Sequence, residues 1–222
     1  MLARFRISVP DRPGTLGLVA SAIGRAGADV AGVEVLEAER GRALDDLHVA
    51  VTGAAHLLRV RRALDEVVGV VVVGVQHPAP PVTGHAELEL VAALVARPDR
   101  VLDSLVDGAP AAVGADWAAL VAYDAQGSLG AVLLTSPSCP GAEHARLTSP
   151  LRLSTPGLTG PGESRPYGGT ALVPLPPNAL GLVVVRTDGP AFSRSELWRL
   201  AEIGKVAGTL LSSADDGAVA TR

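Results

Sequence analysis

The stretch VPDRPGTLGLV, residues 9–19, decides how the first part of this chain folds. Upstream of it, residues 3–9 alternate between apolar and polar side chains, which is the period of a half-buried strand. Downstream, residues 16–23 place apolar side chains at helical spacing, and Ala26-Gly27 is a typical helix stop. The prolines, opposite charges and glycine in between therefore predict a tight turn from a strand into a helix.

Three more segments complete a pattern of strands and helices. Alternation predicts a second strand over Val30–Glu37 and a third over residues 46–51, and a helix and a fourth strand follow at residues 57–67 and 69–75. The order β-α-β-β-α-β predicts a ferredoxin-like domain over residues 1–77, in which two helices cover one face of an antiparallel sheet. The other face stays open unless a partner covers it.

The same residues resemble the start of an ACT domain. The motif Asp11-Arg12-Pro13-Gly14-Thr15-Leu16 is followed by a helix, by Gly27 and by a strand that begins Asp29-Val30. The resemblance covers residues 3–77 and implies a small regulatory module that binds an amino acid and pairs with a second copy. Many ACT domains have asparagine where this chain has Asp29, so the identity of the ligand is left open.

The turn also suits a ligand on physical grounds. The first N–H groups of a helix lack internal partners and carry partial positive charge, and Gly14 lets a carboxylate approach them. Asp11 could bind the ammonium group of the same molecule. In the alternative, Asp11 only caps the helix or forms a turn, and Pro13 only suits the first helical turn. The predicted ligand site consists of Asp11, Arg12, Pro13, Gly14, Thr15, Leu16, Asp29 and Val30.

A proline-rich stretch at residues 78–84 marks a linker. We expect a second domain over residues 85–213 and a flexible tail over residues 214–222. Ser193 and Glu196 form a capping box at the start of its last helix. The other elements predicted here are helices at residues 88–95 and 101–106 and hairpins at 117–135 and 170–187.

The second domain resembles a GAF domain. The matching stretches are GADWAALVAYDAQGSLGAVLL, GGTALVPLPPNALGLVVV and FSRSELWRLAEIGKVAGTLL, in the order of that family. The resemblance implies an α/β/α sandwich with an antiparallel sheet, and the whole chain is therefore expected to be α+β. Residues 136–168 are rich in proline and lack the middle helices of the family, so we expect no binding of cyclic nucleotides.

Composition excludes several classes of function. A net charge of −4 gives no basic footprint for nucleic acid. No apolar run approaches the roughly 20 residues of a membrane helix, and the start of the chain has no signal-peptide layout. The single cysteine, Cys139, favours the cytoplasm. No residues have metal-ligand spacing, and no cofactor is expected.

These observations predict a non-catalytic regulatory protein that binds an amino acid or similar metabolite and acts on a partner enzyme or transporter. We also expect a homodimer, because the sheet has an open face and apolar edges such as Val70–Val75. In an alternative, both domains serve only to mediate assembly. A weaker alternative is an enzyme that uses Cys139 with His144.

Overall fold

The computed structural model forms two four-stranded antiparallel sheets, each combined with helices. The predicted α+β class is therefore confirmed. The linker at 78–84 and residues 142–168 of the proline-rich segment lie outside the described residues. The structure describes residues 1–77, 85–123, 129–141, 169–175 and 179–219.

The first unit has the predicted ferredoxin-like order of elements. Its strands lie in the order β2-β3-β1-β4, and every neighbouring pair is antiparallel. One face of the sheet packs against both helices through buried residues such as Phe5, Ile7, Leu47 and Val60. The elements are β1 (Leu2–Pro10), α1 (Thr15–Arg25), β2 (Asp29–Glu39), β3 (Arg42–Ala50), α2 (Ala54–Asp65) and β4 (Val71–Gln76).

The second unit contains both predicted hairpins. Its strands lie in the order β6-β5-β8-β7, and helices α3, α4 and α5 share a core with one face of this sheet. The last helix continues to Val219, so the tail expected from residue 214 is helical as far as that residue. The elements are α3 (Ala86–Ala96), α4 (Val101–Val113), β5 (Trp117–Tyr123), β6 (Leu129–Thr135), β7 (Gly169–Leu175), β8 (Leu180–Arg186) and α5 (Arg194–Val219).

The second unit covers much of the sheet face that sequence analysis left open in the first. Arg4 and Arg6, expected on an exposed face, are both buried. Arg6 donates a hydrogen bond to the carbonyl oxygen of Ala191, and a side chain at Gly74 would collide with Pro190 at 2.9 Å. The chain thus supplies its own cover for this part of the sheet, which the strand pattern alone could not reveal.

Five buried charged residues join the two units; we call them the ion cluster: Arg4, Arg6, Asp46, Arg186 and Glu196. Arg6 binds both oxygens of Asp46, with Nε–Oδ1 and Nη2–Oδ2 distances of 2.8 and 2.7 Å. Glu196 accepts from Arg6 at 2.9 Å and from Arg186 at 2.8 Å. Burial by itself raises the pKa of Glu196, but Arg186 and Arg6 outweigh it and hold that pKa well below its usual range.

Glu196 also forms the capping box predicted from sequence. Its Oε2 accepts the N–H of Ser193 at 2.7 Å, and its own N–H donates to the Ser193 hydroxyl at 3.2 Å. One carboxylate therefore both starts helix α5 and pairs with arginines of β1 and β8. The predicted cap is confirmed, while its role between the units comes from the tertiary structure.

Strand β2 is attached to the start of helix α5 by a second, more exposed set of contacts. Glu37 accepts the backbone N–H of Arg194 at 2.7 Å, and Glu39 accepts from its guanidinium at 2.7 Å. Arg199 pairs with Glu34 at 2.9 Å. Three of the four acidic side chains of this edge strand, all except Asp29, are therefore already bound within the chain.

Candidate functional site

The turn between β1 and α1 is held by backbone hydrogen bonds. The N–H of Asp11 donates to the carbonyl of Gly41 at 2.9 Å, and the N–H of Thr15 donates to that of Arg12 at 3.3 Å. Gly14 precedes the helix with a φ of 89°, a left-handed conformation that glycine adopts without strain. A Cβ at this position would meet nothing within 4 Å, so the space in front of Gly14 is open.

The N-terminus of helix α1 is uncapped. No side chain caps it, and the first helical bond runs from the N–H of Leu18 to the carbonyl of Gly14 at 3.1 Å. The N–H groups of Leu16 and Gly17 therefore have no partner in the part of the chain that the structure describes. The alternative in which Asp11 caps this helix is not what the structure contains. The helix presents a positive end with free donors.

A groove of about 440 Å³ lies in front of this helix end. The turn from Asp11 to Leu16 forms one side of it, as the sequence motif predicted. Apolar residues of three strands form much of the rest, namely Val9, Val35, Ala38 and Ala43. The groove therefore combines backbone donors with an apolar wall, which is typical of small-molecule sites.

Asp45 on β3 lines the same groove and was missed by sequence analysis. It is 1% exposed, and its Oδ1 has no hydrogen-bond partner among the described residues. Burial, with added repulsion from Asp46 and Asp11, raises its pKa above the usual aspartate range. A signal was present, because Asp45 lies two residues before Leu47 and the period of a strand puts both on the core face.

Asp29 and Val30 do not reach this groove within one chain. They pair with Ala50 and Val49 at one end of β3, whereas Pro10 pairs with Arg42 at the other end. Along a strand, a separation of eight residues corresponds to roughly 26 Å. The structure therefore unites six of the eight predicted residues and places these two at the opposite end of the sheet.

Other candidates contribute little to this site. Cys139 is partly buried and packs beside the cluster of Trp117, Val121 and Val183 in the second unit. His144, its proposed partner, lies outside the described residues. Within the described ranges, no three His, Cys, Asp or Glu side chains are grouped to hold a metal ion. No described helix is long and apolar enough to cross a membrane.

Comparison with known proteins supports the assignment of the first unit. The family model described as ACT domain matches residues 2–74, which is the βαββαβ unit that carries the groove. The resemblance predicted from the Asp11–Leu16 motif is therefore confirmed. ACT domains have, in general, a regulatory role that depends on small-molecule binding. No curated protein matches the chain in sequence.

Solved structures give weaker likenesses. The GAF domain of a phosphoenolpyruvate-protein phosphotransferase from Acinetobacter is similar at 12% identity and a TM-score of 0.36, covering 60% of this chain and 97% of its own. An unknown protein from Galdieria sulphuraria is similar at 12% identity and a TM-score of 0.29, covering 96% and 93%. Both TM-scores are too low to assign the second unit to a family.

Proposed function

We propose that this protein is a non-catalytic regulator that binds an amino acid in the groove at the start of helix α1 and thereby acts on a partner enzyme or transporter. The observation that carries the proposal is the uncapped helix end, whose N–H groups at Leu16 and Gly17 face a groove with buried and exposed carboxylates. An α-carboxylate suits these donors, and an ammonium group suits the carboxylates.

A binding screen tests this proposal directly. Thermal unfolding is measured with each of the twenty common amino acids, and any ligand that shifts the midpoint is then titrated by calorimetry. A ligand present at ~100 times its dissociation constant should add roughly 2.7 kcal/mol to the free energy of unfolding. If none of the twenty gives a shift or a heat of binding, the proposed function is wrong.

Two glycines of helix α1 supply a matched pair of variants. Gly14 and Gly27 both have positive φ, at 89° and 80°, and a Cβ at either would meet nothing within 4 Å. Substitution by valine therefore imposes similar backbone strain at both ends of the helix. We expect Gly14→Val to abolish binding and Gly27→Val to retain it. Equal loss in both variants would show that binding does not depend on the groove.

The proposal places the protein in the cytoplasm, since the chain has a single cysteine and no possible disulfide within it. Within one chain, Asp29 and Val30 are not part of the proposed binding groove. They could contribute only if a second chain brought its own β2 to the groove.

A second candidate function is assembly through the β4 edge. The sheet face that we expected to attract a second copy is largely covered by the same chain. The outer edge of β4 nevertheless exposes Val71 and Val73, and residues 70–75 contain no charge. In a symmetric pair each edge faces a copy of itself, and β4 is favoured because Glu34, Glu37 and Glu39 of the β2 edge are already engaged by the start of helix α5. An uncharged edge strand is a template for pairing.

Light scattering tests this assembly. We expect the mass of a dimer at tens of micromolar protein, and we expect Val73→Lys to give a monomer. Val33→Lys is the matched control, because Val33 is similarly exposed on the opposite edge strand. A monomeric wild-type protein, or a dimer broken only by Val33→Lys, would reject pairing through β4.

A further inference from the structure

We infer that Asp45 is the residue that recognises the cationic group of the ligand and so determines which molecules enter the groove. This inference rests on the proposed function, because it concerns the same site. Asp45 is the carboxylate that lines the groove in a nearly water-free position, and its Oδ1 has no partner among the described residues. A buried acceptor without a donor is costly, and a bound ammonium group removes that cost.

Asp45 is better placed for this role than Asp11. The side chain of Asp11 is exposed, so water already solvates its carboxylate. A hydrogen bond to a desolvated carboxylate is stronger, since the low local dielectric increases the attraction. Asp11 adds negative charge at the mouth of the groove, which attracts a cation but does not fix its position. Asp29 lies at the far end of the sheet.

The pairing of Asp45 with the helix end defines the chemical class of ligand. The donors at Leu16 and Gly17 take an anionic group, while Asp45 takes a cationic group of the same molecule. The groove also has the apolar wall that includes Val35 and Ala38. A zwitterion with an apolar side chain satisfies all three surfaces. An additional carboxylate would meet the two negative charges of Asp11 and Asp45 against the single positive charge of the exposed Arg12, so acidic amino acids are disfavoured.

Paired ligands provide the test. L-leucine, L-valine, L-serine and L-glutamate are titrated by calorimetry, each beside the molecule without its α-amino group: 4-methylpentanoate, 3-methylbutanoate, 3-hydroxypropanoate and glutarate. We expect L-leucine or L-valine to bind, and L-glutamate and all four deaminated acids not to bind. Asp45→Asn should weaken binding of the amino acid by roughly tenfold to a hundredfold, the range for loss of a charged hydrogen bond. Asp107→Asn, an equal change in charge at an exposed position of α4 in the second unit, should leave the affinity unchanged.

The outcomes separate this inference from the proposed function. If an amino acid binds and Asp45→Asn binds it with wild-type affinity, Asp45 has no such role, while the groove remains a binding site. The same conclusion follows if a deaminated acid binds as tightly as its amino acid. If no amino acid in the full set of twenty binds, the proposed function and this inference are both wrong.

The pH dependence of binding gives a readout that a merely structural role would not change. Protonation of Asp45 removes the charge that holds the ammonium group, so affinity should fall on acidification in the wild type. The charged groups near Asp45 are Asp11 and Arg12 of the turn, which line the same groove, and Asp46, which repels it from the opposite face of its own strand. Asp45→Asn should reduce this acid-dependent loss of affinity. An unchanged pH profile in that variant would overturn the assignment.

Discussion

Asp45 and Asp46 are consecutive residues of β3, and they occupy opposite environments. Asp45 points to the helix side of the sheet, into the groove, and its Oδ1 has no partner in the described structure. Asp46 points to the other face, where Arg6 binds both of its oxygens. Both residues are 1% exposed, so burial does not distinguish them. The difference lies in the hydrogen-bond partner: the fold provides Arg6 for Asp46, whereas for Asp45 the partner would come from a bound ligand.

This contrast distinguishes Asp46, whose charge has a structural role, from Asp45, whose charge is available to bind a ligand. In the ion cluster both carboxylates, Asp46 and Glu196, are hydrogen-bonded by arginines of the chain, although Nε and Nη2 of Arg4 have no hydrogen-bond partner among the described residues. The cluster joins two units whose sheets do not pair with each other. The groove keeps an unsatisfied carboxylate beside an uncapped helix, and both features reduce stability in the absence of a ligand. Unpaired polar groups of this kind indicate a function more strongly than paired ones do.

The strongest test of the contrast removes the centre of the ion cluster. Glu196→Ala leaves Arg4, Arg6 and Arg186 buried beside Asp46 alone, and breaking a buried ion pair in this way costs about 3–5 kcal/mol. Urea denaturation measures the loss. Glu202→Ala on the same helix is the control, because its pair with Lys205 is exposed and contributes less than about 1 kcal/mol. Equal effects of the two variants would show that the cluster does not hold the units together.

Acid should weaken the ion cluster without any substitution. The pKa of Glu196 is lowered in the folded protein, so the stability it provides is complete above the ordinary glutamate value of about 4.3 and is lost as the pH falls below it. Thermal unfolding between pH 6 and pH 3 should show a falling midpoint. This acid-dependent decrease should be smaller in Glu196→Gln. A wild-type midpoint that is constant over this range would contradict the assigned role of Glu196.

Two glycines at the start of helix α1 should respond in opposite directions to the same change. Gly14→Ala forces a side chain into a left-handed conformation and should cost about 1–2 kcal/mol. Gly17 lies inside the helix with open space around it, so Gly17→Ala should add about 0.5–1 kcal/mol. Chemical denaturation of both variants checks the conformation of the turn. A stabilising Gly14→Ala would mean that the helix starts differently.

The smallest expected effect is an increase in the stability of the ligand-free protein. Asp45→Asn removes a buried charge and its repulsion from Asp46 and Asp11, so the ligand-free protein should become more stable by up to about 1 kcal/mol at neutral pH. The raised pKa of Asp45 means that its cost is complete above the folded pKa and disappears as the pH falls to the unfolded value of about 3.9. The gain should therefore shrink on acidification. A variant less stable than wild type at pH 7 would show that Asp45 has a partner in the fold.

Much of the groove could be predicted because its parts are local. The Asp11–Leu16 turn, its glycine and the helix start are set by neighbouring residues, and all six line the groove. The motif grouped Asp29 and Val30 with this turn. In the fold they pair with one end of β3, and the turn lies at the other end.

The sequence by itself determined the order of the strands and helices, the turn before α1 and the capping box of α5, because each depends on residues a few positions apart and on the period of one element. Only the tertiary structure decided that Arg6 and Glu196, 190 residues apart, would be neighbours, and that Oδ1 of Asp45 would have no hydrogen-bond partner among the described residues. Alternation shows that a residue faces one side of a strand, but not what lies on that side. That depends on how distant segments pack, which no local pattern records.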